Sequence, residues 1–191
     1  MKAIAQFSFL LAFIFLFQNI ALADNASAII QGTSPESNIS GVLHLEEKKE
    51  GLRIHGEIKN VSPGDHGFHI HEKGSCEDKG NGAGGHFNPH GASHGLLSKD
   101  GINGAHAGDF GNVTAKANGL VKIDMTFPEL NLKSEDLMSI AGKSFILHEK
   151  PDDFGQPTGN AGGRIACGVI STVQNNGKWY RFKNYLSRMF S

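Results

Sequence analysis

No apolar run in this chain reaches the ~20 residues that a membrane-spanning helix needs. The longest, Phe9 to Phe17, falls well short, and Gln6, Ser8, Gln18 and Asn19 interrupt any extension of it. Charge of one sign is also missing. The formal net charge is −1, so no global basic field points to nucleic acid. Six prolines and 39% hydrophobic residues exclude a low-complexity or disordered chain. There is no internal repeat and no linker-like stretch, so 191 residues read as one domain large enough for a real core. Two cysteines are too few for a cysteine-built metal site or a disulfide-dense scaffold.

The short apolar run has a better reading. Lys2 is the only charge before Asp24, and Ala21-Leu22-Ala23 offers small residues after the run. These are the three parts of a secretory signal peptide, expected over residues 1–23. Export in turn changes how Cys76 and Cys167 read. In an oxidising compartment the simplest pair is one disulfide, with two buried thiols as the alternative.

Beyond the leader, short strand-like runs follow one another with turn signals between. Ser40–Glu47 and Gly51–Lys59 are joined by charged "KKEG". Asn118-Gly119 separates two alternating runs within Gly111–Phe127, a strong hairpin signal. Gly142–Lys150 and Arg164–Thr172 are two further strands, and the only helix expected before the tail is a short one over Lys133–Ile140. The pattern predicts an all-β fold, an antiparallel sandwich or barrel. Two connections are too long to be turns, about Glu72–Asp109 and about Glu149–Gly163. Long loops without secondary structure in a compact domain are usually functional.

Those loops hold the chemistry. Seven of the ten histidines fall between His66 and His106. His69 and His71 flank one residue in a strand, so their side chains share a face. His86, His94, His106 and Asp109 lie in the first loop, and His148 opens the second. Six imidazoles and one carboxylate exceed the needs of one four-coordinate cation. They suit two sites that share a ligand, because imidazole has two ring nitrogens. All-imidazole ligation suits Cu(II), and three imidazoles with a carboxylate suit a closed tetrahedral Zn(II).

From about Ala26 to Ser171 the chain resembles copper/zinc superoxide dismutases. "GFHIH", "HFNP", "GDFGNVTA", "HEKPDD" and "GNAGGRIACGVI" are similar to that family's signature segments and occur in the same order. The resemblance implies an Ig-like Greek-key β-sandwich or barrel over residues 24–172, with one copper and one zinc per chain. By the same likeness His69, His71, His86 and His148 are the copper ligands, and His86 bridges to zinc. His94, His106 and Asp109 complete the zinc site. Asp152 links His69 to His94, Cys76 pairs with Cys167, and Arg164 guides and holds the superoxide anion. His66 is implied to pin a loop. His44 and His55 read as ordinary surface residues, and His90 as exposed and off the ligand pattern.

The implied reaction converts superoxide to oxygen and hydrogen peroxide, an antioxidant defence outside the cytoplasm. Two other classes remain open. An exported copper- and zinc-binding protein without turnover would not need Arg164 beside an open copper position. A zinc-stiffened structural sandwich would not need His69, His71 and His148 on strands.

The motifs mix two lineages. "HIHEKGSC" resembles bacterial members, while "HFNP" and "HEKPDDFG" resemble eukaryotic ones, so the destination is periplasmic in a bacterium and extracellular in a eukaryote. The second loop is shorter than in cytosolic eukaryotic members and lacks their charged residues. Lys73, Lys79 or Lys150 would then supply long-range steering. Asn25, Asn38, Asn60 and Asn112 each open an Asn-x-Ser/Thr triplet. Family members form homodimers through different surfaces in the two lineages, and some bacterial members are monomers.

Residues 173–191 lie beyond the resemblance. Trp179, Phe182, Tyr185, Leu186 and Met189 recur at three- and four-residue steps, opposite Arg181, Asn184 and Arg188. That is the pattern of a basic amphipathic helix, expected to pack on the barrel or a second subunit, or to dock on an anionic membrane surface or another partner.

Overall fold

The computed structural model describes residues 25–173. The expected signal peptide and the expected amphipathic tail from Gln174 onward lie outside the described residues.

Eight antiparallel strands close into a barrel. In chain order they are β1 (Asn25–Gly32), β2 (Ser40–Lys48), β3 (Gly51–Lys59), β4 (Gly64–His71), β5 (Asp109–Ala115), β6 (Val121–Phe127), β7 (Ser144–His148) and β8 (Arg164–Val173). The order around the barrel is β1-β2-β3-β6-β5-β4-β7-β8, and β8 pairs back onto β1. Placing β6 beside β3 and β7 beside β4 is Greek-key connectivity. Closure leaves no unpaired sheet edge.

Strand alternation explains most of the barrel. Ala26, Ala28 and Ile30 on β1, Leu43 and Leu45 on β2, and Leu52, Ile54 and Ile58 on β3 point inward and are buried, while their neighbours face outward. The hairpin expected at Asn118-Gly119 is present, and Gly119 takes the positive φ of 75° that its turn requires. β4 and β7 break the alternation, because both of their faces are covered. Phe68 and Ile70 fill the barrel interior, where Phe68 stacks on Phe145 at 5.3 Å between ring centroids. His69 and His71 therefore point outward, yet they are buried under the loop that joins β4 to β5.

Several attachments hold that loop, three of them near its start. A disulfide joins Cys76 to Cys167 on β8, with Cα atoms 5.7 Å apart. In a chain-entropy account it is worth about 4–5 kcal/mol. Ala83 packs against Ile146 and Cys167 on the outer face of the sheet. Ser144 Oγ donates to the Lys73 carbonyl at 2.8 Å.

One expectation fails. Lys133–Ile140 is a series of turns rather than a helix. The Asp136 carboxylate accepts from the Met138 amide at 2.8 Å, and the Asn131 side chain accepts from the Lys133 amide at 3.0 Å. Such local side-chain bonds compete with helical ones. Leu130, Leu132 and Ile140 are also drawn into the core, at a spacing one helix face cannot satisfy. Among the described residues the α-helix, α1 (Leu97–Gly104), lies instead inside the first long loop. Gly101, at φ 66°, kinks it, and two glycines with an asparagine hide it from propensity. Leu97 plugs it into the core. It fills the chain between His94 and His106 and so spaces two of the candidate ligands.

Candidate metal centre

Two β-bulges sit at the site. On β4, Gly67 faces Asn112 but His69 faces Asp109, so β5 carries an extra residue there. Gly111 absorbs the bulge with φ 76°. On β7, Leu147 faces Ala166 but His148 faces Arg164, so β8 also carries an extra residue. Bulges re-aim side chains, and here they turn Asp109 and Arg164 toward the histidines.

All the sequence-predicted ligands come together. His69, His71, His86 and His148 form one buried group. His86, His94, His106 and Asp109 form a second, and His86 belongs to both. His69, His94 and Asp152 form a third. Within the first, the His69 and His86 ring centroids are 4.2 Å apart, and His69 and His148 are 5.0 Å apart.

The hydrogen bonds determine which nitrogen of each ring is free. His71 Nδ1 lies 2.9 Å from the Gly84 carbonyl oxygen, and His148 Nδ1 lies 3.3 Å from that of Gly162. A carbonyl only accepts, so both Nδ1 atoms carry the proton and both Nε2 atoms keep a lone pair. His69 is turned the other way: its Nε2 donates to Asp152 at 2.7 Å. The remaining nitrogens, His69 Nδ1, His71 Nε2 and His148 Nε2, are buried without a hydrogen-bond partner. An unpartnered buried polar atom costs about 1–3 kcal/mol, and three in one group mark a place where a cation fits. Burial, helped by neighbouring histidines and the Arg164 charge, lowers His71 to about 2 and His148 to about 3. The rings are thus neutral and ready to ligate at physiological pH.

The second group centres on one carboxylate. The Nδ1 atoms of His86, His94 and His106 lie 2.8, 2.9 and 3.1 Å from the Asp109 oxygens. Backbone amides of Gly95 and His106 donate to Asp109 Oδ2 and hold it in place. Burial opposes ionisation of Asp109, but hydrogen bonds from His106, His86 and His94 hold it far below the usual carboxylate range. Three imidazoles and one carboxylate are the donor set of a closed tetrahedral zinc site. His86 is lowered to about 4, chiefly by burial. With its Nδ1 on the Asp109 side, only its Nε2 remains for the first group.

Asp152 ties the groups together. Its carboxylate accepts from His69 Nε2 at 2.7 Å and from His94 Nε2 at 3.0 Å. Burial would lower His94, but the Asp109 and Asp152 carboxylates raise it to about 9. Gly159, at φ 79°, lies against this pair, and a Cβ there would run into the Asp152 carboxylate and the His94 ring. We expect Asp152→Asn to weaken zinc binding by about 10–100-fold, the usual cost of losing a partner that orients a ligand. Chelator competition measures it, and unchanged zinc affinity would show that Asp152 is a bystander.

Sequence reading missed two residues that clamp the site. Asn112 was legible only as a glycosylation triplet. Its side-chain amide accepts from the Asp152 backbone at 2.6 Å and donates back at 2.9 Å. Gln156 brackets His94, accepting from its amide at 3.1 Å and donating to its carbonyl at 2.8 Å. Neither has a spacing signal, because each bonds to backbone. The expected bystanders belong to none of the ligand groups. His66 is buried between the Ser62 and His148 carbonyls, at 2.9 and 2.8 Å, and so anchors the end of β7. His90 is exposed and belongs to no ligand group.

Arg164 completes the arrangement. Its Nη1 and Nη2 donate to the Gly80 and Gly84 carbonyls, each at 2.7 Å. Gly84 also accepts from His71, so the guanidinium and a metal-group histidine share one backbone anchor.

The closed Greek-key barrel thus carries two histidine groups that could each hold a metal ion and are joined through one shared ring, with Arg164 anchored on the same carbonyl as His71. The profile of the copper/zinc superoxide dismutase (SODC) family matches residues 39–170. The extracellular Cu-Zn superoxide dismutase of Brugia pahangi is 37% identical over 160 residues, covering 78% of each chain. Cu-Zn superoxide dismutase A of Xenopus laevis is 42% identical over 141 residues, covering 70% of this chain and 89% of that one. The crystal structure of the clock protein EA4 superposes with a TM-score of 0.69 at 35% identity, covering 79% of this chain and 96% of that one. The chain belongs to the copper/zinc superoxide dismutase family. Its reaction is superoxide dismutation, and its cofactors are copper and zinc.

Proposed function

We propose that dismutation takes place at the group formed by His69, His71, His86 and His148, with zinc held by His86, His94, His106 and Asp109. The observation that carries this reading is the shared His86, flanked by buried nitrogens that have no other partner. Copper, when bound, supplies the one-electron couple that turns two superoxide anions and two protons into oxygen and hydrogen peroxide. His86 Nε2 is the atom that takes a proton in the first half-reaction and releases it in the second. Meanwhile Asp109, His94 and His106 keep the Nδ1 side of the ring in place. Arg164 uses two of its five N–H donors on backbone carbonyls, and the others, which have no partner among the described residues, orient the anion. Of the three candidate steering lysines, Lys79 lines a cleft of about 580 Å³ together with Arg164.

The purified protein is expected to hold one copper and one zinc per chain and to consume superoxide. Full loading without turnover beyond that of free copper would leave only the metal-binding reading.

The protein acts outside the cytoplasm. The N-terminal leader pattern, the Cys76–Cys167 disulfide and the extracellular relatives of Brugia pahangi and Caenorhabditis elegans support secretion. The tail sequence is read as separate from catalysis, packing on the barrel or a second subunit or docking on an anionic membrane surface or another partner. β8 continues to Val173, whose partner is Asn25, so the clean cut falls after Val173. Truncation there is expected to leave dismutase activity unchanged. A vesicle-binding assay and the melting temperature then separate membrane docking from packing on the barrel.

A further inference from the structure

Phe154 is 44% exposed and belongs to neither buried cluster of the barrel. It also holds a positive φ of 60°, a region that bulky residues rarely enter. An aromatic side chain left in water on a strained backbone weakens the fold twice, and such strain concentrates at functional sites. The contacts of Phe154 lie at the metal centre. Its ring is nearly parallel to that of His94, with 21° between the planes and 6.5 Å between the centroids, within the range of an offset stack. The His69, His86 and His106 rings meet His94 at 83°, 66° and 52°, so Phe154 supplies the near-parallel contact. The ring also lies over Gly111, where a Cβ would touch it at 3.7 Å. The Phe154 amide donates to Asp152 Oδ1 at 2.8 Å, and Asp152 accepts from His94 Nε2 at 3.0 Å. Gln156 and Gly159 of the same loop also bear on His94.

We propose that Phe154 is a positioning residue for zinc: its ring fixes the plane of the His94 imidazole, so that zinc leaves slowly. The inference rests on the assignment of zinc to His86, His94, His106 and Asp109. The ligating atom of His94 is Nδ1, on the Asp109 side at 2.9 Å. Nε2 lies close to the axis of rotation about the Cβ–Cγ bond, so its bond to Asp152 leaves that rotation free. Nδ1 lies off the axis and swings away when the ring turns. A flat neighbour along the ring face opposes the turn. Glycine or asparagine would suit the positive φ better, so the aromatic ring is explained by what it touches and not by the loop backbone.

Phe154→Gly tests this, because it keeps the amide bond to Asp152, fits the positive φ and removes the ring. Protein loaded with copper and zinc is mixed with an excess of a chromogenic zinc chelator, and zinc release is followed in time. Phe154→Gly should release zinc at least about tenfold faster than wild type, the lower end of what losing a ligand's support costs. Phe154→Tyr restores the ring and should release zinc at close to the wild-type rate. With cobalt(II) in place of zinc, the visible spectrum should shift in Phe154→Gly and return in Phe154→Tyr. Melting of the metal-free protein should not fall in Phe154→Gly, since glycine relieves the backbone, whereas loss of a packing residue would lower it. Four results would overturn the proposal and leave the zinc assignment standing: wild-type release or an unmoved cobalt spectrum in Phe154→Gly, a lower metal-free melting temperature in that variant, or equally fast release in Phe154→Tyr. A wild-type protein that takes up no zinc would overturn both.

Discussion

His86→Ala is expected to remove function through both metals at once. In the proposed arrangement each of the other ligands serves one cation, but His86 belongs to both groups, and its Nδ1 lies 2.8 Å from Asp109. Losing the ring leaves the zinc group with two imidazoles and a carboxylate and the copper group with three imidazoles. Even a supporting partner is worth about 10–100-fold in metal affinity, so loss of a direct ligand should weaken both sites by at least that much. His94→Ala is the contrast. It should release zinc while the copper group keeps its four histidines, although Asp152 then holds only His69. Metal content after dialysis and parallel affinity titrations separate the two variants. Intact zinc affinity in His86→Ala would show that the ring does not bridge.

Arg164→Glu is expected to produce the largest loss of turnover that leaves both metals bound. Unit charges ~5–6 Å apart interact by about 0.7–3 kcal/mol between a water-like and a protein-surface dielectric. A neutral residue at this position should therefore slow the reaction roughly three- to a hundredfold, and charge reversal should slow it more. Arg164 also anchors the loop through the Gly80 and Gly84 carbonyls, so part of the effect could come from moving His71. Arg164→Lys resolves this. It keeps the charge and loses the fork, so activity near wild type assigns the effect to charge. The charge contribution should also fall as salt rises. Unchanged turnover in Arg164→Glu would remove this residue from the substrate's path.

Much of the site was legible before any coordinates. Ligand chemistry restricts residue type so strongly that the clustering of His69 to His106 could be read as metal binding. The period of a strand then put His69 and His71 on one face. The disulfide followed from export, and both long loops have ends within a residue or two of their expected positions. The misses have a common physical cause. Asn112 and Gln156 act through backbone partners, which carry no residue identity. The turns at Lys133–Ile140 were set by local bonds to Asn131 and Asp136 together with the pull of the core, and the helix at Leu97–Gly104 by Leu97 reaching the core against local propensity.

The sequence by itself determined the strand alternation, the turns and the donor types, because these depend on neighbours along the chain. Only the tertiary structure decided which nitrogen of each histidine is free, since that depends on carbonyls and carboxylates up to 83 positions away, as between His69 and Asp152. It alone decided that an outward-facing histidine pair on β4 would be buried, because the covering loop is held by the remote Cys167 on β8. It alone brought His44 opposite His55, because strand register arises from the pairing of whole strands and is not encoded at any single position.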